Sequence, residues 1–238
     1  MAFANFTAWR ALALHATKNE KAALPLYEKA YSGGTKNVQA LLAYGLLLLR
    51  RGGRDERAVE VFKAASKRKM NARQWLSLYQ NLGLAYWLRG DLDRALTLFS
   101  RIYQRSQSAS VRGIYGLLLI EKGDQSGDYG EALRFCEEAA GYDGEDSVLV
   151  DNLAQVLSRT GGQGERERAE ALFRKALELS PAQFDSLCGL AKLCAQTGRE
   201  EEARALLKKA LLRPESRFNA FSRGEALDLA RRLGLEDE

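Results

Sequence analysis

The chain has 238 residues, of which 46% are hydrophobic, 28% charged and 9% aromatic, with only three prolines. Enough apolar material is present for a large core, and the wealth of Ala, Leu, Glu, Lys and Arg, without long alternating runs of Val, Ile and Thr, argues for helices and against strands. The longest unbroken apolar run, Ala40 to Leu49, has ten residues, too few to cross a bilayer, and no basic region precedes the first apolar stretch, so neither a membrane span nor a cleaved leader is expected.

The net charge of +5 hides an asymmetry. Residues 1–119 hold 19 Lys/Arg against 7 Asp/Glu, a balance of +12, and residues 120–238 hold 17 against 24, a balance of −7. An electrical polarity along the chain is expected from this, with salt-sensitive self-association as one consequence. The three cysteines, Cys136, Cys188 and Cys194, are odd in number and lack metal-type spacing. They read as free thiols in a reducing, cytoplasmic setting.

In chain order the sequence resembles itself six times. Each copy carries an Ala, an apolar or aromatic residue four positions on, and a small or apolar residue three later, a spacing that places all three on one helix face. These are Ala23–Tyr27–Ala30, Ala58–Phe62–Ala65, Ala95–Phe99–Ile102, Ala132–Cys136–Ala139, Ala169–Phe173–Ala176 and Ala203–Leu207–Ala210, with the leading alanines 35, 37, 37, 37 and 34 residues apart. Ahead of five of them stands a large residue, a small one and an apolar one three further on: Tyr44-Gly45…Leu48, Leu82-Gly83…Tyr86, Tyr115-Gly116…Leu119, Leu153-Ala154…Leu157 and Leu190-Ala191…Cys194. Turn-forming segments separate the two patterns, among them Arg51 to Asp55, Arg89-Gly90-Asp91, Lys122-Gly123-Asp124, Thr160-Gly161-Gly162 and Thr197-Gly198-Arg199. Gly there suits a left-handed helix end and Asp suits a helix N-cap.

This pattern resembles the tetratricopeptide repeat, whose signature of Trp, Leu-Gly and Tyr followed by Ala, Phe and Pro recurs every 34 residues. The stretch Tyr79, Leu82-Gly83, Tyr86, Ala95 and Phe99 carries most of it, and Pro181 closes the fifth copy. The resemblance implies an all-α, right-handed solenoid of about six helix-turn-helix repeats, at about 4–37, 38–73, 76–109, 109–146, 147–183 and 184–215. Residues 1–215 form the solenoid and 216–238 a capping helix and tail, the helix running from Ser216 to Leu235. Three departures stand out. Arg10 occupies the place of the family's large residue in the first copy. Pro25 lies inside the second helix and predicts a late start or a kink. The inter-helix loops of the fourth and fifth copies, Gly123 to Gly130 and Gly161 to Arg166, are longer than the family's.

Catalytic chemistry finds little support. His15 is the one histidine, no nucleophile motif surrounds it, no phosphate loop is present and no Cys/His cluster suits zinc. No catalytic, metal or cofactor residue is therefore assigned, and the expected role is non-catalytic: a scaffold or adaptor binding a protein or peptide ligand. In the family the first helices of the hairpins line a concave groove. Carried over by position, the partner-binding residues are Leu42, Leu46 and Leu49, then Gln80, Asn81, Leu84, Trp87 and Leu88, then Ile114 and Leu117, then Asp151, Asn152 and Gln155, and last Lys192. Asn81 and Asn152 stand where the family often places an amide against an extended peptide, which needs a donor and an acceptor at once. The apolar copies two to four suit a hydrophobic peptide or an amphipathic helix, unless the segment around Phe3, Phe6 and Trp9 covers their leucines. A second reading makes the basic half an RNA-binding surface, with Lys63, Lys67, Arg68, Lys69 and Arg73 as electrostatic contacts.

Overall fold

The computed structural model describes residues 2–214 and 216–235. Met1, Glu215 and 236–238, which end the expected C-terminal tail, lie outside the described residues. The described residues form thirteen α-helices and no strand. They fall into two compact units, Met1–Arg105 and Ser106–Glu238.

The first unit holds α1 (Ala2–Ala16), α2 (Glu20–Ser32), α3 (Val38–Arg51), α4 (Asp55–Ser66), α5 (Ala72–Leu88) and α6 (Leu92–Tyr103). Successive helices pair as hairpins, α1 with α2, α3 with α4 and α5 with α6, and α3 also packs on α1 and α5. The second unit holds α7 (Ala109–Ser126), α8 (Gly130–Tyr142), α9 (Ser147–Thr160), α10 (Gln163–Leu179), α11 (Phe184–Gln196), α12 (Glu200–Leu211) and α13 (Arg223–Arg232). Here α7, α9 and α11 begin the three hairpins, α9 packs on α7 and α11, and α13 packs on α12. All six expected hairpins are present.

Packing follows the small–large spacing. The six leading alanines are all buried, five of them at 0% exposure. The aromatic residues four positions on, Tyr27, Phe62, Phe99 and Phe173, are fully buried, each burial contributing about 1.5–3 kcal/mol. Glycine at 45 and 83 makes the crossing possible. A Cβ at Gly83 would stand 2.6 Å from the Phe99 ring, and one at Gly45 would overlap the ring of Phe62. The start of α6 is capped as the sequence suggests by Asp91, which accepts from the Arg94 N–H, and α9 is capped by Asp146, which accepts from those of Val148 and Leu149. Gly90 takes the left-handed turn between α5 and α6 at φ 76°.

Several expectations are corrected. Pro25 neither delays nor splits α2, which runs from Glu20. Pro25 is exposed, and so is Lys21 one turn earlier, so water can take the hydrogen bond that the missing N–H leaves open. The long loops are largely helix. Helix α7 continues through Gly123 to Ser126 before the left-handed Gly127 ends it, and α10 starts at Gln163. The extra turn of α7 is held by Tyr129, whose ring occupies the space a Cβ on Gly123 would need and whose hydroxyl donates to Asp124 at 2.6 Å. Only Arg223–Arg232 of the expected capping helix is helical, while Ser216 to Ser222 is an irregular strap. In the first copy Arg10 is exposed and Ala11 is fully buried. Ala11 thereby leads Tyr27 by the same sixteen residues with which Gly83 leads Phe99.

Candidate functional site

The second unit contains a cavity of about 660 Å³ between the first helices of its three hairpins. One wall is α7, with Gly113, Ile114 and Leu117. The floor is α9, with Asp151 and Asn152. The far wall is the start of α11, with Phe184 and Asp185. The strap after α12 closes one side with Arg213, Phe218 and Asn219.

Hydrogen bonds fix these elements to one another. The Asn152 amide donates to the Gly113 carbonyl at 2.7 Å, joining α9 to α7. A larger residue at 113 would press on Val148, since a Cβ there lies 3.0 Å from its methyl carbon. Ser186 on α11 donates to Asp151 at 2.6 Å, and the backbone N–H of Phe221 donates to Asp185 at 3.0 Å, pinning the strap to α11.

The floor is electrostatically unusual. Asp151 is 3% exposed. Burial first, and the neighbouring Asp185 charge second, push its carboxyl up to about 7. Burial also raises Asp185. Arg159 does not neutralise either by contact. Its guanidinium is held by Asp124 at 2.9 Å and by the backbone and side-chain oxygens of Gln155 at 2.9 and 2.8 Å.

Of the residues expected at a binding groove, Ile114, Leu117, Asp151 and Asn152 line this cavity. Gln155 is fully buried and does not line it. Lys192 is exposed and lines a separate cavity of about 350 Å³ between α11 and α13, with Gln196, Glu225 and Arg232. In the first unit, Leu42 and Leu49 are buried at 8% and 0% exposure, so neither offers an open surface. Leu46, Gln80, Asn81, Leu84, Trp87 and Leu88 are half-buried. The two asparagines are engaged within the chain: Asn81 donates to the Ser77 carbonyl of its own helix at 2.8 Å, and Asn152 to Gly113. Phe3, Phe6 and Trp9 are 60–66% exposed, so they do not seal a groove in the first unit. Sequence reasoning missed Phe184, Asp185, Ser186 and the strap. Asp185 looks like any carboxylate in the first turn of a helix, and only the fold sets it beside Asp151.

Two tetratricopeptide-repeat family models match the sequence, one over residues 75–109 and one over 162–217. Solved structures of such proteins superpose on most of the chain. The chain carries tetratricopeptide repeats. A tetratricopeptide-repeat protein of Parabacteroides merdae aligns at a TM-score of 0.70 and 16% identity, covering 98% of this chain and 86% of that one. A thermophilic counterpart from Thermus thermophilus gives 0.64 at 23% identity, over 83% of this chain and 97% of that one. The Cut9-Hcn1 hetero-tetramer of APC/C contains a chain that aligns at 0.67 and 14% identity, over 95% of this chain and 42% of that one. At these identities the likeness is one of fold. No curated protein matches the sequence.

Tetratricopeptide-repeat proteins are in general non-catalytic interaction scaffolds. In this repeat protein His15 contacts Tyr27 at 3.0 Å through Nδ1 and Glu20 at 3.7 Å through Nε2, a helix-to-helix contact. Among the described residues no helix is long and apolar enough to cross a membrane. The basic run of the repeat protein ends α4 and enters α5. Lys63, Lys67, Lys69 and Arg73 are exposed, while Arg68 is half-buried with its Nε unpartnered.

Proposed function

We propose that this protein is a non-catalytic scaffold that holds a peptide segment of a partner protein in the cavity of its second unit. The observation that carries the reading is the cavity itself. It is built from the first helices of three consecutive hairpins, and its volume of about 660 Å³ falls in the range of ligand sites, roughly 300–1,000 Å³. Apolar walls with a few fixed polar groups suit side chains of an extended segment better than a whole helix. Three buried free thiols suit a reducing compartment such as the cytoplasm.

The test is site-specific photo-crosslinking in the source cell. A benzophenone amino acid in place of Leu117 is expected to capture a discrete protein. The same group in place of Arg134, on α8, is expected not to. Equal capture from both positions would remove the reading.

The basic run supports a second reading, nucleic-acid binding by the first unit, because four of its five cations are exposed. Such binding would fall steeply with salt. An RNA shift that survives physiological salt and disappears on charge reversal of Lys63, Lys67, Lys69 and Arg73 would establish it.

A further inference from the structure

Building on the peptide reading, we propose that the cavity of the second unit selects a partner segment by one basic side chain, with the guanidinium or ammonium group set against Asp151 and Asp185. The argument begins from a charge imbalance. A buried carboxylate ordinarily has a cation in contact or gives up its charge. Here the buried Asp151 and the half-buried Asp185 border one cavity, and no Lys or Arg among the described residues forms an ion pair with either. The nearest candidate within the helices, Arg159, is turned away toward Asp124 and the oxygens of Gln155. Arg213 lies on the strap at the exposed rim.

A second observation concerns the side chain one helical turn after Asp151. Gln155 is completely buried, and its Nε2 has no hydrogen-bond partner. Its amide nevertheless lies near enough to Asp151 to favour the charged form of that carboxylate. An orphaned buried donor is costly. The Ser186 hydroxyl donates to Asp151 as well, so these two groups partly offset the cost of ionising it, and an opposite charge in the cavity would complete that offset. The cavity wall supplies the rest. Ile114, Leu117, Phe184 and Phe218 offer apolar surface for the methylene stem of Arg or Lys, which buries its stem while its charged end seeks a counter-ion. Arginine suits the floor well, because its planar fork can meet two oxygens at once.

The experiment selects random dodecamer peptides displayed on phage against the full chain and, in parallel, against Asp151→Asn and Asp185→Asn. Asp→Asn keeps the side-chain shape, and circular dichroism with thermal melting verifies that each variant is folded. The expected result is Arg or Lys enriched at one fixed position on the parent and lost on Asp151→Asn, with the flanking apolar preferences retained. The second arm needs no change in the protein. A synthetic peptide of the selected sequence should lose at least about tenfold in affinity when its basic residue becomes citrulline or norleucine. Selected peptides without a basic position, or a basic preference that persists on both variants, would overturn the inference while leaving peptide binding in place. Failure to select any peptide would overturn both.

Discussion

Gly83 on α5 and Phe99 on α6 occupy one another's space: a Cβ on the glycine would stand 2.6 Å from the ring. The same relation joins Gly45 to Phe62, and Gly189 to the Phe173 ring of the preceding hairpin at 2.5 Å. The small residue is therefore a steric requirement of the helix crossing, not a concession to flexibility.

Replacing Gly83 with Ala sets two effects against each other. Alanine favours the helix by about 1 kcal/mol over glycine, while overpacking a tight core costs about 1–3 kcal/mol. Phe99 is fully buried, so the steric cost is expected to win, with a net loss of about 1 kcal/mol in urea unfolding. Adding Phe99→Leu should make the alanine tolerable. A Gly83→Ala protein more stable than its parent would sink the steric account.

Stability should depend on pH through Asp151. Its carboxyl is raised from 3.8 to about 7 in the folded chain, so the folded state holds a proton that the unfolded state releases. The resulting stabilisation is complete below about pH 4 and is lost as pH rises through about 7. Asp185 shifts in the same direction. Asp151→Asn should therefore be more stable than the parent at pH 8, by on the order of 4 kcal/mol, with little difference at about pH 4. Parallel melting profiles for the two proteins would contradict this.

Glu170 has the opposite sign. Hydrogen bonds from Arg199 and Arg174 hold its carboxyl at about 2. Its contribution is present above the ordinary 4.5 and is lost as pH falls toward 2. Glu170→Gln is expected to cost about 0.5–1 kcal/mol at pH 7, as for a partly exposed charge network. The cost should shrink below about pH 3. A loss of equal size at both pH values would point to packing instead.

Arg112 is only 4% exposed. It donates to the Gln107 carbonyl at 3.1 Å and to Glu138 at 3.2 Å, and lies 4.3 Å from the centre of the Tyr142 ring. Hydrogen bonds to charged groups are worth about 1.5–3 kcal/mol, so Arg112→Ala should lose about 2–3 kcal/mol in denaturant unfolding. Arg112→Lys should recover little of it, because an ammonium cannot make the fork. Full rescue by lysine would show that charge alone matters.

Burial pushes the thiols of Cys136 and Cys188 to about 12 and that of Cys194 to about 11. All three are at most 1% exposed. Ellman's reagent at about pH 8 is expected to find none of them in the native protein and all three in guanidinium. Rapid labelling of a native thiol would show that its helix pair opens.

The hairpins were legible in the sequence because the forces that make them are local. An alanine, an aromatic residue four positions on and a small residue three later define one face of a helix wherever the chain goes. A glycine one hairpin turn upstream defines where the partner helix must pass. What those rules leave open is decided by contacts between distant residues. The segment from Gly123 to Gly130 reads as loop, yet the Tyr129 ring folding over Gly123 adds another helical turn to α7. Ser216 to Ser222 reads as the start of a capping helix, yet the Phe221 N–H bonds Asp185 and lays the segment along the cavity instead. Asp151 reads as a polar residue on a groove-facing helix. Only the stacking of α9 between α7 and α11 takes it out of water and brings Asp185 beside it. The periodicity of small and large side chains thus determined the repeat. The tertiary structure alone decided where charge is buried, because desolvation depends on every neighbour in space and on none in particular along the chain.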